Sequence, residues 1–178
     1  ALGCADTLVK TALVHPSPQT RFSVSDSLLC ISNNQFVFTN SSQISTGTLA
    51  HEWFFDDSNF STLKNPTHQY QYADTFMVSL VSTSDSNCTD TALKTLVVWD
   101  RPDINFALND TDQCLVNNLF IGTNRSTTYQ DSLQFVWQFG DGNTAISLQT
   151  QHSYNAAGRF ELKLIGSTNT GCTDSFSR

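Results

Sequence analysis

Five cysteines and four histidines are the side chains of this 178-residue chain best suited to covalent, metal or acid–base chemistry. Cys4, Cys88 and Cys172 are spaced by 84 and 84 positions, and Cys30 and Cys114 by 84 again. None of them shows the close Cys/His spacing of a tetrahedral zinc site. Each period owns one early and one late cysteine, 58 positions apart, so the expected disulfides are Cys30–Cys88 and Cys114–Cys172. Closing such a loop stabilises by at most about 4 kcal/mol in the loop-entropy model. Buried free thiols are the alternative. The same arithmetic places the partner of Cys4 in a preceding repeat.

His68 and His152 also stand 84 apart, beside Tyr70 and Tyr154. A metal or acid–base role is weighed against a structural His–Tyr pair. The second is favoured, because a catalytic site is seldom duplicated in every unit of an array. His15 and His51 do not repeat. Asp141 and Asn143, with Asp56, Asp57 and Asn59, could offer oxygens to Ca²⁺, but one turn supplies too few for the six to eight such an ion takes. Turn chemistry is the better account. Asp6, Asp90 and Asp174 each follow a cysteine by two and are expected to tie down a strand end through local hydrogen bonds. There is no ordered Ser/His/Asp grouping and no phosphate-binding glycine loop. No catalytic residue, metal or cofactor is implied.

These side chains must be positioned by repeated elements. Sliding the chain on itself by 84 without a gap matches about three residues in ten, and Cys-x-x-Asn-Asn-x-Phe-x-x-Thr-Asn-x-Ser occurs at 30–42 and 114–126. The period is too long for a solenoid and close to a whole sandwich domain. Residues 1–16 then read as the last strand of a preceding domain, 17–100 as a complete domain, and 101–178 as a second lacking its final strand. Arg159–Ile165 and Leu133–Phe139 alternate with period two, so both are expected strands. The face with Leu133, Phe135, Trp137 and Phe139, matched by Leu49, Trp53 and Phe55, is the expected buried one. No stretch keeps a 3.6-residue period, and the fold class is all-β.

The residues also resemble a known family. Trp137-Gln138-Phe139-Gly140-Asp141-Gly142, His152-Ser153-Tyr154, Gly158-Arg159-Phe160-Glu161-Leu162-Lys163-Leu164 and Gly171-Cys172-Thr173-Asp174-Ser175 closely resemble the PKD (polycystic kidney disease) domain. The first repeat carries Trp53-Phe54-Phe55-Asp56-Asp57, His68-Gln69-Tyr70 and Thr75-Phe76-Met77-Val78-Ser79-Leu80, departing at Ser58 and Asp74. The resemblance implies tandem immunoglobulin-like β-sandwiches with Trp53, Tyr70, Trp137 and Tyr154 in structural core slots. The added cysteine motifs look like the PKD arrays of very large Bacteroidota surface proteins, gliding adhesins and other type IX secretion cargo. This narrower resemblance implies O-glycosylation at Asp-Ser/Thr-apolar sequences, here Thr7, Ser27, Thr91 and Ser132. Asn40, Asn59, Asn87, Asn109 and Asn124 lie in Asn-x-Ser/Thr sequons.

Only 14% of residues are charged, against about 25% for an average soluble domain. The formal net charge is −7. An acidic chain with no Lys/Arg cluster does not suit nucleic acid, and the apolar runs are strand-sized, too short to span a bilayer. The chain starts Ala1-Leu2-Gly3-Cys4 and reads as an internal fragment of a secreted protein. The expected function is a non-catalytic stalk or filament segment at the cell surface, partnered by neighbouring PKD repeats of the same or an identical chain. The alternatives are a module binding surface polysaccharide, through the non-repeating aromatics Phe54, Phe60, Tyr72, Trp99 and Tyr129, and an accessory domain of a secreted hydrolase. Residues 4–14 match 88–98, so they could complete another molecule's last sandwich by strand addition. An unpaired 4–14 would count against it.

Overall fold

In the first repeat the strands are β1 (Phe22–Val24), β2 (Leu28–Cys30), β3 (Gln35–Asn40), β4 (Leu49–Phe54), β5 (Phe60–Ser61), β6 (Thr67–Gln69), β7 (Asp74–Ser84) and β8 (Thr89–Trp99). A 3-10 turn at Ile31–Asn33 separates β2 from β3. The second repeat has β9 (Phe106–Leu108), β10 (Phe120–Asn124), β11 (Leu133–Gln138), β12 (Thr144–Ala145), β13 (Gln149–His152), β14 (Lys163–Thr168) and β15 (Thr173–Ser177). These come from a computed structural model that describes residues 6, 8–128 and 132–178. No helix among the described residues is long and apolar enough to cross a membrane.

The period-two signal becomes burial. β3 alternates exposed and buried, covering Phe36 and Phe38 completely, and β7 buries Phe76, Val78, Leu80, Ser82 and Ser84 along one face. Each repeat forms two sheets with the same order. β1-β3-β6 corresponds to β9-β10-β13, and β5-β4-β7-β8 to β12-β11-β14-β15. The first repeat adds β2, which runs parallel to the end of β8 with Cys30 opposite Trp99. The matching residues 112–114 form no strand.

Two expectations differ in detail. β14 begins at Lys163 rather than Arg159, because its ladder to β15 starts at the Lys163–Ser177 pair and only Leu162 and Arg178 exchange hydrogen bonds beyond it. Residues 8–14 form no strand, and Leu8, Val9, Leu13 and Val14 are exposed. That outcome counts against strand addition by this segment.

The chain divides into two compact units. The first is Ala1–Ser25, Val37–Thr67 and Met77–Thr95; the second is Asp26–Phe36, His68–Phe76 and Leu96–Arg178. In the first unit Trp53 is fully buried, with Phe22 edge-on at 5.0 Å and Phe38 at 5.2 Å, and its indole Nε1 donates to the Leu63 carbonyl. In the second, Trp137 is also fully buried, with Phe106 edge-on at 5.0 Å, and its Nε1 donates to the Ser147 carbonyl. The indoles are held alike, but their surroundings are not. Phe38 is matched by Gly122, where an added Cβ would lie 2.8 Å from the Trp137 ring. The second core regains volume from Ile104, Phe135 and Phe176, the last 5.5 Å from Phe106. Ile104 occupies the space a side chain at Gly166 would need.

One buried amide in each repeat joins a loop to a strand end. Asn34 Nδ2 donates to the carbonyls of Ile31 and Tyr70, and its Oδ1 accepts from the Tyr70 N–H. Asn118 does the same with Leu115 and Tyr154. Both amides are buried, so removing either strands backbone groups away from water. Asn118→Ala is expected to destabilise the chain by about 2–3 kcal/mol, read as a lower denaturant midpoint at unchanged slope. A midpoint within error of the parent would show that the amide carries no load.

Candidate functional site

The cysteines are not paired as their spacing suggested. Cys30 bonds Cys172, 142 positions away, while Cys88 and Cys114 have no bond. The expected Cys30–Cys88 and Cys114–Cys172 bonds are replaced by one that joins residues of consecutive repeats. Strand length explains why. Cys88 sits at the start of β8, and Cys30 is paired with Trp99 at the far end of the same eleven-residue strand. That strand is about 35 Å long at about 3.3 Å per residue, and a disulfide needs Cα atoms within about 7 Å. Cys30 and Cys172 lie 5.6 Å apart, both in the second compact unit.

Each half of the bond is held by local structure. Cys30 ends β2 and precedes the 3-10 turn whose first carbonyl, that of Ile31, accepts from the Asn34 amide. Cys172 lies in the turn between β14 and β15 and is 1% exposed. There the Thr168 N–H donates to the Cys172 carbonyl, the Gly171 N–H to the Thr168 carbonyl, and the Cys172 N–H to Thr168 Oγ1. Arg101 lies 3.8 Å from Asp174, but with the arginine largely exposed this pair adds little.

The His–Tyr motifs make ring contacts in both repeats. His68 meets Tyr70 edge-on at 4.7 Å, and His152 meets Tyr154 at 4.7 Å. Tyr70 stacks on Phe76 and Tyr154 on Phe160. In the second repeat His152 also stacks on Phe139 and places Nε2 2.8 Å from Asp141 Oδ2. Asp141 accepts from the Asn143 N–H and side-chain amide as well. Partial desolvation acts to raise this carboxyl, but the Asn143 and His152 hydrogen bonds outweigh it and pull it down to about 2. Desolvation, and then the Asp141 charge, push the Tyr154 hydroxyl up to about 12, while it donates to the Phe139 carbonyl.

The turn itself is shared. Asn59 bonds Asp57 as Asn143 bonds Asp141, and Asp56 and Ser58 take φ of 67° and 70° where Gly140 and Gly142 take 79° and 91°. Gly140 leaves no room for a Cβ against the Glu161 backbone. Asp56 instead uses its side chain there, accepting from the Met77 N–H. These oxygens are therefore engaged in turn chemistry. Among the described residues no three His, Cys, Asp or Glu side chains come together as a metal site.

The other singled-out residues are dispersed. Asp90 accepts from the neighbouring Thr91 N–H and also from the Thr20 N–H, 70 residues away, while its carbonyl accepts from the Thr20 hydroxyl; Asp174 accepts locally from the Ser175 N–H. The bonds to the Asp90 carboxylate lower its pKa. Thr91 is exposed on β8, Ser27 is half-buried next to β2, and Ser132 accepts from the Asn169 amide. Cys4, Thr7 and Tyr129 lie outside the described residues. Phe54 and Phe60 form a direct cross-strand pair, 41% and 65% exposed, whereas Trp99 is half-buried. Sequence reasoning assigned no role to Asn34 and Asn118. Their recurrence at the same offset from Cys30 and Cys114 was the available signal.

Paired antiparallel sheets around a hydrogen-bonded tryptophan and a buried tyrosine define an immunoglobulin-like β-sandwich, present here twice in tandem. The chain belongs to the PKD domain family, whose model matches residues 15–98 and again residues 99–178. Among solved structures it is similar to the PKD1 domain of Vibrio anguillarum Epp, with 26% identity and a TM-score of 0.42 over 48% of this chain and 96% of that one. It is similar also to the PKD1 domain of the Vibrio cholerae metalloprotease PrtV, with 28% identity and a TM-score of 0.40 over 48% and 98%. A third likeness, at 12% identity and a TM-score of 0.45, covers 94% of this chain and 64% of a 1.5-MDa bacterial ice-binding adhesin structure. No curated protein matches the chain.

The depressed Asp141 carboxyl gives a pH signature. Its folded pKa lies below the ordinary 3.8, so the stability it contributes is present above about pH 4 and lost as pH falls towards 2. Asp141→Asn is expected to flatten this acid limb in denaturant midpoints measured from pH 6 to 2. An acid limb as steep as the parent's would assign the sensitivity elsewhere.

Proposed function

We propose that this chain is a segment of an extracellular, cell-surface stalk or filament that bears load and does no catalysis, adhesin-like in its placement. One observation carries the reading: the Cys30–Cys172 bond closes a 142-residue loop across consecutive PKD domains. A chain pulled from its two ends would transmit force through that bond, and the residues inside the loop could not extend. Further support comes from the constant 84-residue step and the prolines at Pro16, Pro18 and Pro102, which stiffen the joints. A disulfide in a chain rich in hydroxyl and amide side chains suits an oxidising, extracellular setting. The partners are then neighbouring PKD repeats of the same or an identical chain.

Single-molecule stretching tests this directly. With handles at both termini, reduction is expected to lengthen the unfolded contour by roughly 480 Å, which is the loop at about 3.4 Å per residue. Equal contours before and after reduction would remove the basis for the load-bearing role.

A second reading has its own observation. Phe54 and Phe60, opposite one another on β4 and β5, line an open cleft of about 370 Å³ with Asp56, Ser58 and Asn59. Exposed rings beside polar turn atoms suit the apolar face and hydroxyls of a surface polysaccharide. The second repeat has Gln138 and Thr144 in these places, so this surface belongs to one domain only. Glycan-array binding that disappears in Phe60→Ala, with stability retained, would favour this role; an array without signal would exclude the glycans displayed.

A further inference from the structure

The last strand of the first domain leaves part of one edge open. β8 bonds β7 along one side, and the hairpin joining them closes with the Ser84 N–H donating to the Cys88 carbonyl. Antiparallel pairing alternates from there, so Asp90, Ala92 and Lys94 turn their backbone groups towards β7. The matching hairpin of the second domain has the same parity. Its Thr168 N–H donates to the Cys172 carbonyl, and the ladder runs on through Gly166–Asp174 and Leu164–Phe176. The odd residues of β8 turn their groups the other way. On that side the Val97 N–H donates to the Ser27 carbonyl, and β2 pairs with Val97–Trp99 alone. No described strand pairs there with residues 89–95, and Thr89, Thr91, Leu93, Lys94 and Thr95 are exposed, Leu93 by 62%. This free stretch runs from the hairpin turn to β2 and is centred on Ala92.

Its charges are symmetric about the same centre. Asp90 and Lys94 flank Ala92 at equal spacing, on one face of the strand. The pattern recurs in the sequence: Cys-x-Asp-x-x-x-Lys/Arg occupies 4–10, 88–94 and 172–178. Four steps along a strand span about 13 Å, too far for the acid and base to meet each other. In the second domain Arg101 already lies 3.8 Å from Asp174. In the first, Asp90 accepts N–H groups from Thr20 and Thr91 but meets no described cation, and no described carboxylate pairs with Lys94.

We propose that the free edge of β8 pairs antiparallel with β8 of a second copy of this chain, joining two first domains into one continuous sheet about a two-fold axis at Ala92. That axis sets Asp90 of each copy opposite Lys94 of the other. Thr91 then faces Leu93 and Thr89 faces Thr95, all residues whose outward N–H and C=O groups are free. Backbone and charge thus demand the same register. The Asp90–Lys94 pairs fall at non-hydrogen-bonded positions, where side chains are closest. An axis at Asp90 or at Lys94 would set like charges face to face, and so would parallel pairing in register. Charges on an open edge commonly keep other strands away. A self-complementary pair repels the wrong registers and admits one.

Such strand addition takes affinity from main-chain bonds and specificity from side chains. The same patch serves both partners, as in any two-fold contact. The two chains run in opposite directions where they meet. The ion pairs are exposed, so association is weak, reversible and reduced by salt. The inference is independent of the load-bearing role and of the disulfide.

The test is sedimentation of the full chain at about millimolar concentration and low salt, where a reversible dimer is expected. Lys94→Glu sets like charges opposite each other on both sides of the axis and should weaken the dimer at least about tenfold. Lys64→Glu makes the same change in net charge and should leave it intact. Leu93→Pro removes an outward N–H that β7 does not use, so it should abolish the dimer while the domain stays folded. Cross-linking reads the register, in a background carrying Cys4→Ser, Cys88→Ser and Cys114→Ser. With oxidised glutathione, Ala92→Cys should give a covalent dimer, whereas Leu93→Cys, placed opposite Thr91, should not. A parent that stays monomeric, a dimer unaffected by Lys94→Glu, or cross-linking at position 93 in preference to 92 would each overturn the proposal. Lys94 is exposed, so its variant decides the matter even if the proline variant unfolds.

Discussion

The Cys30–Cys172 bond constrains more of this chain than any other single contact. Its effect depends on where its halves are held. Cys30 lies beside the end of β8, on a loop pinned by a buried asparagine, and Cys172 lies in a turn fixed by three short hydrogen bonds. Joined, they close most of the chain into one loop, for which the loop-entropy model gives at most about 5 kcal/mol. The stabilisation comes largely from the unfolded state, which loses the freedom to separate the two domains' ends. The load-bearing reading starts from this connectivity.

Beneath the bond is a scaffold that repeats its polar contacts more faithfully than its apolar ones. The indole-to-carbonyl bond, the buried asparagine, the His–Tyr edge contact and the Asp–Asn turn recur with nearly the same distances in both domains. Directional bonds tolerate little change, because a buried polar group without its partner is costly. The aromatic and aliphatic filling between them is exchanged freely as long as volume is kept. Asp56 in place of Gly140 shows the same economy of means: the side chain that takes up the space also satisfies a neighbouring N–H.

Much of this was legible in the residues. Two-residue alternation located β11 and overlapped β14, and the Trp-x-Phe and His-x-Tyr strings located the buried Trp53, Tyr70, Trp137 and Tyr154. Disulfide connectivity was not legible, for a definite reason. In a chain of constant period, a partner 58 positions away and one a full period further on are equivalent by spacing alone. Only the path of β8, which carries Cys88 away from Cys30, separates them. Asp90 was legible only in part for a related reason: its local bond to the Thr91 N–H was expected, whereas its other partner Thr20 arrives from 70 residues away. β14 starts late because strand pairing is a property of two segments, and alternation reports on only one.

The unequal cores have a consequence for biosynthesis. Neighbouring domains of similar sequence emerge in succession and can exchange strands while folding, a characteristic failure of repeat proteins. Here such hybrids would be mismatched. A strand bearing Phe38 meets no space against Trp137, where Gly122 belongs, and one bearing Gly122 would leave a hole beside Trp53. Ser82 in place of Gly166 would collide with Ile104. Each nascent domain thus selects its own strands by shape, and the polar frame can stay uniform along the array without inviting neighbours to entangle.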